Sequence, residues 1–174
     1  MCSSDLAAST RSTPRLVAAP TGVRFAALSA GVLQNCGLTA AGAAYCWGSN
    51  LFGQVGDRTK TTRSTPALVA APAGVSFAAV SAGGGHTCGI TAAGAAYCWG
   101  RNSSGDLGDG TTTDRLSPAL VAAPAGVSFT AVSAGGDHTC GVTAAGAVYC
   151  WGSNSRGQLG DGTTTERLTP VRVQ

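Results

Sequence analysis

Cys88-Gly89-Ile90-Thr91-Ala92-Ala93-Gly94-Ala95-Ala96-Tyr97-Cys98-Trp99-Gly100 decides the fold, because it occurs three times. The other copies run from Cys36 to Gly48 and from Cys140 to Gly152, each displaced by 52 residues. Such a stretch reads as a β-hairpin. Ala92-Ala93-Gly94 suits a three-residue loop whose final Gly takes the left-handed conformation of a type I turn with a G1 bulge. Thr91 then faces Ala95, Ile90 faces Ala96, Gly89 faces Tyr97 and Cys88 faces Cys98. Pairs alternate outward from the loop, so the two cysteines fall on a non-hydrogen-bonded site, where Cα atoms come within ~4.5 Å. The same register opposes Cys36 to Cys46 and Cys140 to Cys150. The expected reading is three disulfides, with reduced core thiols as the rival. Zinc is disfavoured, because it wants four ligands in close pairs and no repeat supplies a consistent second pair.

Working outward, Pro14, Pro66, Pro118 and Pro170 are also 52 apart, and each precedes a short apolar run such as Leu68-Val69. A strand entered through proline belongs near an edge. A further strand is expected at Phe25 to Ala30, Phe77 to Ala82 and Phe129 to Ala134. Both of its faces are small or apolar, which predicts cover on both sides. Behind each hairpin lies a loop dense in turn residues, such as Gly100 to Asp109. A unit of about 50 residues with four strands is a propeller blade. The sequence therefore predicts an all-β chain of three four-stranded blades plus one extra strand. The blades are set at residues 10–65, 66–117 and 118–174, the last including the extra strand. The units that begin at Pro66 and Pro118 agree at 43 of 52 positions. Residues 1–9 match nothing in the repeats. Cys-Ser-Ser-Asp-Leu is also what a common sequencing-adaptor end encodes in one frame, so this segment reads as extraneous and leaves Cys2 without structural meaning.

Composition narrows the function. Charged residues are 11% of the 174, and the net charge of +3 is spread along the chain, so the basic patch of a nucleic-acid binder is missing. No apolar run approaches a membrane span. Disulfides would place the protein outside the cytoplasm, secreted or at the cell surface, although no secretory leader is visible at the start.

The pattern Gly-Gly-x-His-Thr-x-x-x-Thr-x-x-Gly-x-x-Tyr-x-Trp-Gly-x-Asn-x-x-Gly-x-Leu-Gly resembles the repeat of the regulator-of-chromosome-condensation family, from Thr10 to the C-terminus. That resemblance implies a seven-bladed propeller, of which this chain would be a fragment. Its remaining blades would be missing or supplied by association. It also implies binding of other macromolecules through loops on the two faces of the disc. The family includes an exchange factor on chromatin and secreted bacterial inhibitors of β-lactamase. The chain departs from the pattern in having three blades, a Cys on each hairpin strand, and Gln34 where the later copies have His86 and His138. The cysteines point to a secreted bacterial branch.

No catalytic constellation stands out, and no cofactor or metal is expected. His86 and His138 are expected to bond backbone at blade corners. Asp57, Asp109 and Asp161 are expected to cap their own turns, since the spacing fits neither an EF-hand nor a calcium-binding β-roll. Arg11, Arg63, Arg115 and Arg167 are expected in local ion pairs, with Asp114 and Glu166 beside two of them. Trp47, Trp99 and Trp151 are expected to pack between blades. Disagreement among copies marks loops free to differ. Leu33, Leu51, Phe52, Arg101, Asp106 and Arg156 are thus the candidate binding residues. The three apolar ones suit a binding hot spot or the covering of an adjacent irregular blade, and both readings remain open. The expected function is a non-catalytic protein-interaction scaffold. An inhibitor of a secreted enzyme and an exchange factor are the alternatives.

Overall fold

The computed structural model describes residues 13–174, so Cys2 and Arg11 lie outside the described residues. Twelve strands and no helix occur among them. They form three antiparallel sheets. The first consists of β1 (Phe25–Ala30), β2 (Gln34–Thr39), β3 (Ala44–Gly48) and β4 (Arg63–Leu68). The second has β5 (Ala79–Ala82), β6 (His86–Ile90), β7 (Ala96–Gly100) and β8 (Arg115–Leu120). The third has β9 (Ala131–Ala134), β10 (His138–Val142), β11 (Val148–Gly152) and β12 (Arg167–Arg172). Each sheet is one blade, with strands paired in chain order.

The β6–β7 hairpin has the register that its turn dictates, with Ile90 opposite Ala96, Gly89 opposite Tyr97 and Cys88 opposite Cys98. Gly94 at the end of the turn has φ +80°, a region in which a Cβ would be strained. Cys36 opposes Cys46 and Cys140 opposes Cys150 in the same way. In all three pairs the Cα atoms are 4.1 Å apart and the sulfurs stand at bonding distance.

The blade boundaries differ from the sequence expectation by one strand. The proline-entered strand closes the blade that precedes it: β4 pairs with β3, β8 with β7 and β12 with β11. What looked like an extra strand at the C-terminus is the fourth strand of blade 3. The surplus segment is instead Pro14–Val17, which forms no strand. Pro66 and Pro118 do sit on edge strands. Each register shifts beside them, which accommodates a residue without an N–H.

The strand expected to be covered on both faces is the innermost of each blade, and it is not so covered. Ala79 and Ala131 are exposed, as is most of β1. These strands line an open groove whose walls, at Ala30, Gly31, Ala82, Gly83, Ala134 and Gly135, carry no titratable side chain.

The core lies between blades. Cys36, Leu38, Cys46, Val55 and Val69 of blade 1 pack against Phe77, Ala82 and Trp99 of blade 2. Cys88, Ile90, Cys98, Leu107 and Val121 of blade 2 pack likewise against Phe129 and Trp151 of blade 3. Trp99 and Trp151 are completely buried. The Trp99 indole N–H donates to the Gln54 carbonyl of blade 1 at 3.0 Å. Among the described residues no earlier blade packs against Trp47, which is half-buried.

Candidate functional site

In each blade the link between the first two strands and the start of the long loop after the third strand are stitched together at one end of the sheet. Ser49 N–H donates to Leu33 O, Arg101 N–H to Gly85 O and Ser153 N–H to Asp137 O, at 2.8–2.9 Å. All six candidate residues therefore belong to loops at this end, and the hairpin turns lie at the other.

The long loop is held by a network that repeats in every blade. Asn102 is fully buried. Its Nδ2 donates to Asp109 Oδ1 and to the carbonyls of Thr111 and Thr113, while its Oδ1 accepts from Leu107 N–H. Asp109 Oδ1 accepts from the Thr111 N–H and hydroxyl, and its Oδ2 accepts from Arg115 at 2.7–2.8 Å. Asn50 with Asp57 and Asn154 with Asp161 do the same. The aspartates cap their turns, but each arginine pairs with that aspartate, six residues upstream, and not with the neighbouring acid. Asp114 accepts instead from Asn102 N–H. Burial alone would raise the Asp57 and Asp109 carboxyls, but the Thr59 or Thr111 hydroxyl and the arginine outweigh it and hold both below their ordinary value. The Thr163 hydroxyl is the main cause that brings Asp161 down to about 2. Asn50, Asn102 and Asn154 escaped the sequence reading. Their signal was identity in all three copies beside a position that varies as Leu51, Ser103 and Ser155.

Two sites of copy-to-copy difference are not free loop positions. Gln34 is fully buried and its Nε2 donates to the Gly83 and His86 carbonyls of the next blade. His86 is buried too, and it bonds a side chain of the next blade and not backbone at a corner. Its Nε2 lies 2.8 Å from Thr139 Oγ1. The Thr139 hydroxyl already donates to Asp106 O, so it accepts from His86, which fixes the neutral tautomer with its proton on Nε2. Burial, reinforced by the Arg101 guanidinium, pushes His86 down to about 4.

Asp106 is the larger correction, because this candidate contact is completely buried. Gln54 and Gln158 hold the same place in the other blades. Their Oε1 accepts from Phe52 or Arg156 N–H, and their Nε2 donates to Ser49 or Ser153. In blade 2 both partners change together. The serine becomes Arg101, whose Nε lies 3.8 Å from Asp106 Oδ2 and whose other end pairs with Asp137 of blade 3. Neither Asp106 side-chain oxygen has a hydrogen-bond partner among the described residues. Burial raises its carboxyl to about 6 against the opposing pull of Arg101.

The remaining candidates are accessible. Leu33 is 63% exposed, Leu51 65% and Phe52 36%. Phe52 reaches the neighbouring blade, since its ring and the Arg101 stem both flank buried Gly85. Phe52 and Arg101 thus meet across blades 1 and 2, while Leu51 precedes Phe52 in the same loop and Leu33 lies on the link bonded to that loop's start. Arg156 holds in blade 3 the place that Phe52 holds in blade 1.

The regulator of chromosome condensation (RCC1) repeat matches residues 41–90, 93–142 and 145–174, and a second form of it matches 25–54, 77–106 and 129–158. The human probable E3 ubiquitin-protein ligase HERC4 is 32% identical over 161 residues, which is 92% of this chain and 15% of the ligase. The ultraviolet-B receptor UVR8 of Arabidopsis thaliana is 38% identical over 129 residues, 74% of this chain and 29% of the receptor. Among solved structures, human WBSCR16 aligns with a TM-score of 0.78 at 21% identity, over 88% of this chain and 40% of that one. Yeast RCC1 (Prp20), solved bound to Kap60, aligns with a TM-score of 0.76 at 24% identity, over 88% and 38%. At these identities the likeness is one of fold, and the chain spans well under half of each relative. Three matched repeats in phase with three blades establish that the chain belongs to the RCC1 repeat family.

Proposed function

We propose that this propeller segment is a non-catalytic scaffold that binds a protein partner through the surface made by Leu33, Leu51, Phe52 and Arg101. The observation that carries this is the exposure of three large apolar side chains at places where the other copies have Gly85 or Asp137, Ser103 or Ser155, and Ser104 or Arg156. Exposed apolar clusters rimmed by polar groups mark interaction sites. Yeast RCC1 (Prp20), which shares this fold, was solved bound to the protein Kap60, which supports looking for a protein partner here. Further blades, from more chain or by association, would complete the ring. With the partner in hand, Phe52→Ala and Arg101→Ala should each weaken binding by ~1 kcal/mol or more. Leu68→Ala, exposed on the outer strand, should leave it unchanged. The reverse pattern would sink the assignment of this surface.

The same proposal places the protein outside the cytoplasm, in a bacterial secreted or surface setting, with each opposed cysteine pair oxidised. Alkylation and mass spectrometry of the unreduced secreted protein should find at most one reactive thiol. Six free thiols would overturn both the pairing and the compartment.

A further inference from the structure

We infer that the long loop of blade 1 docks an acidic polypeptide segment bearing apolar side chains, an inference that rests on the scaffold reading and names its partner class. The observation is a reversal of charge confined to one copy. Blade 1 places Arg58, Lys60 and Thr62 where blade 2 has Gly110, Thr112 and Asp114 and blade 3 has Gly162, Thr164 and Glu166. Arg63 is neutralised by Asp57 at 2.6 Å. Arg58 and Lys60 are exposed and stand in no ion pair among the described residues. The loops of blades 2 and 3 carry no comparable unpaired pair of cations.

Arg58 is also the one non-glycine residue with positive φ among those described, at 65°, where the other copies use glycine at 80° and 76°. A side chain held in that region costs stability, and such outliers cluster at functional sites. The backbone around it is pinned. Arg58 N–H donates to Leu116 O of the next blade at 2.8 Å, Thr59 is bonded to Asp57, and the Thr59 and Thr61 carbonyls accept from buried Asn50. Both cations therefore project from a fixed frame, which lowers the ordering cost of binding. Leu51 and Phe52 belong to the same loop, and Leu33 is tied to its start. Apolar anchors and two cations carried by one loop complement carboxylates interspersed with Leu, Phe or Trp. Two cations are too few to track a phosphate backbone.

A random-peptide display library panned on the folded chain, with counter-selection on the Arg58→Gly/Lys60→Thr double variant, tests this directly. The variant carries the residues of the other two blades, so its fold is retained, and an unfolding curve checks that. Enriched peptides should carry Asp or Glu beside large apolar residues and lose at least ~10-fold in affinity for the double variant. No acidic bias, or equal binding to the variant, overturns the inference. Leu51→Ser and Phe52→Ser separate it from the reading beneath it. Neutral peptides that bind and are lost in these two variants leave the scaffold surface standing without its acidic partner, and loss in neither removes both. Tighter binding to duplex DNA or anionic vesicles, abolished by Arg58→Gly/Lys60→Thr, would also overturn the choice of a polypeptide.

Discussion

Trp99→Ala is expected to remove about 4 kcal/mol of stability from this chain, whereas Trp47→Ala should cost about 1. Both indoles occupy the same repeat position, so the difference measures what surrounds them. Trp99 is completely buried among residues of blade 1, its ring lying against Gly56 and its N–H on the Gln54 carbonyl. Trp47 is half-buried and stacks on Phe25 of its own blade, with ring centroids 5.9 Å apart. In an array whose units touch only their neighbours, stability is a sum of unit and interface terms. Loss of Trp99 therefore removes mainly the junction between blades 1 and 2. Denaturant unfolding should become less steep, with blade 1 melting ahead of the others. Equal costs for the two substitutions would mean that the indole is not what joins the blades.

His86 and Asp106 should pull stability in opposite directions with pH. An imidazole that protonates at 6.5 in the unfolded chain but only at about 4 in the fold favours unfolding as pH falls through that window, by about 3 kcal/mol in all. A carboxyl raised from 3.8 to about 6 binds its proton more tightly in the fold. Its contribution rises as pH falls from 6 towards 4, by roughly 2 kcal/mol after allowance for screening. The two contributions largely offset each other, and the capping aspartates titrate lower still. Asp106→Gln, the residue of the other blades, should expose the histidine slope, with stability dropping between pH 6.5 and 4. His86→Gln, which installs the residue that blade 1 already carries at Gln34, should expose the opposite slope. Parallel curves for the wild type and Asp106→Gln would show that Asp106 is ionised in the fold.

The hairpins were legible because a three-residue turn ending in Gly94 leaves only one register for Cys88 and Cys98. Blade boundaries were not, because a periodic sequence has no marked origin. Nothing in Leu68-Val69 says whether it pairs with the hairpin before it or opens the sheet after it, and only the β3–β4 ladder decides. The variable positions were legible as a set and misread in part. Leu33, Leu51 and Phe52 vary at the surface. Gln34 varies inside a junction, and Asp106 varies because Arg101 changed with it. A sequence with three copies shows where residues differ, but burial separates a free loop from a compensated pair.

The offset between sequence repeat and blade also bears on how such a chain can grow. The junction between blades 1 and 2 and that between blades 2 and 3 share the buried indole and the apolar residues packed on it, and differ at Gln34 and His86. A tandem duplication of any 52-residue window, wherever its ends fall, therefore restores a complete sheet on either side of the join. Gene-level gain or loss of one unit changes the number of blades and leaves every junction with its indole and apolar packing, while the Gln34 or His86 contact and the Arg101–Asp137 pair follow the copy that is gained or lost.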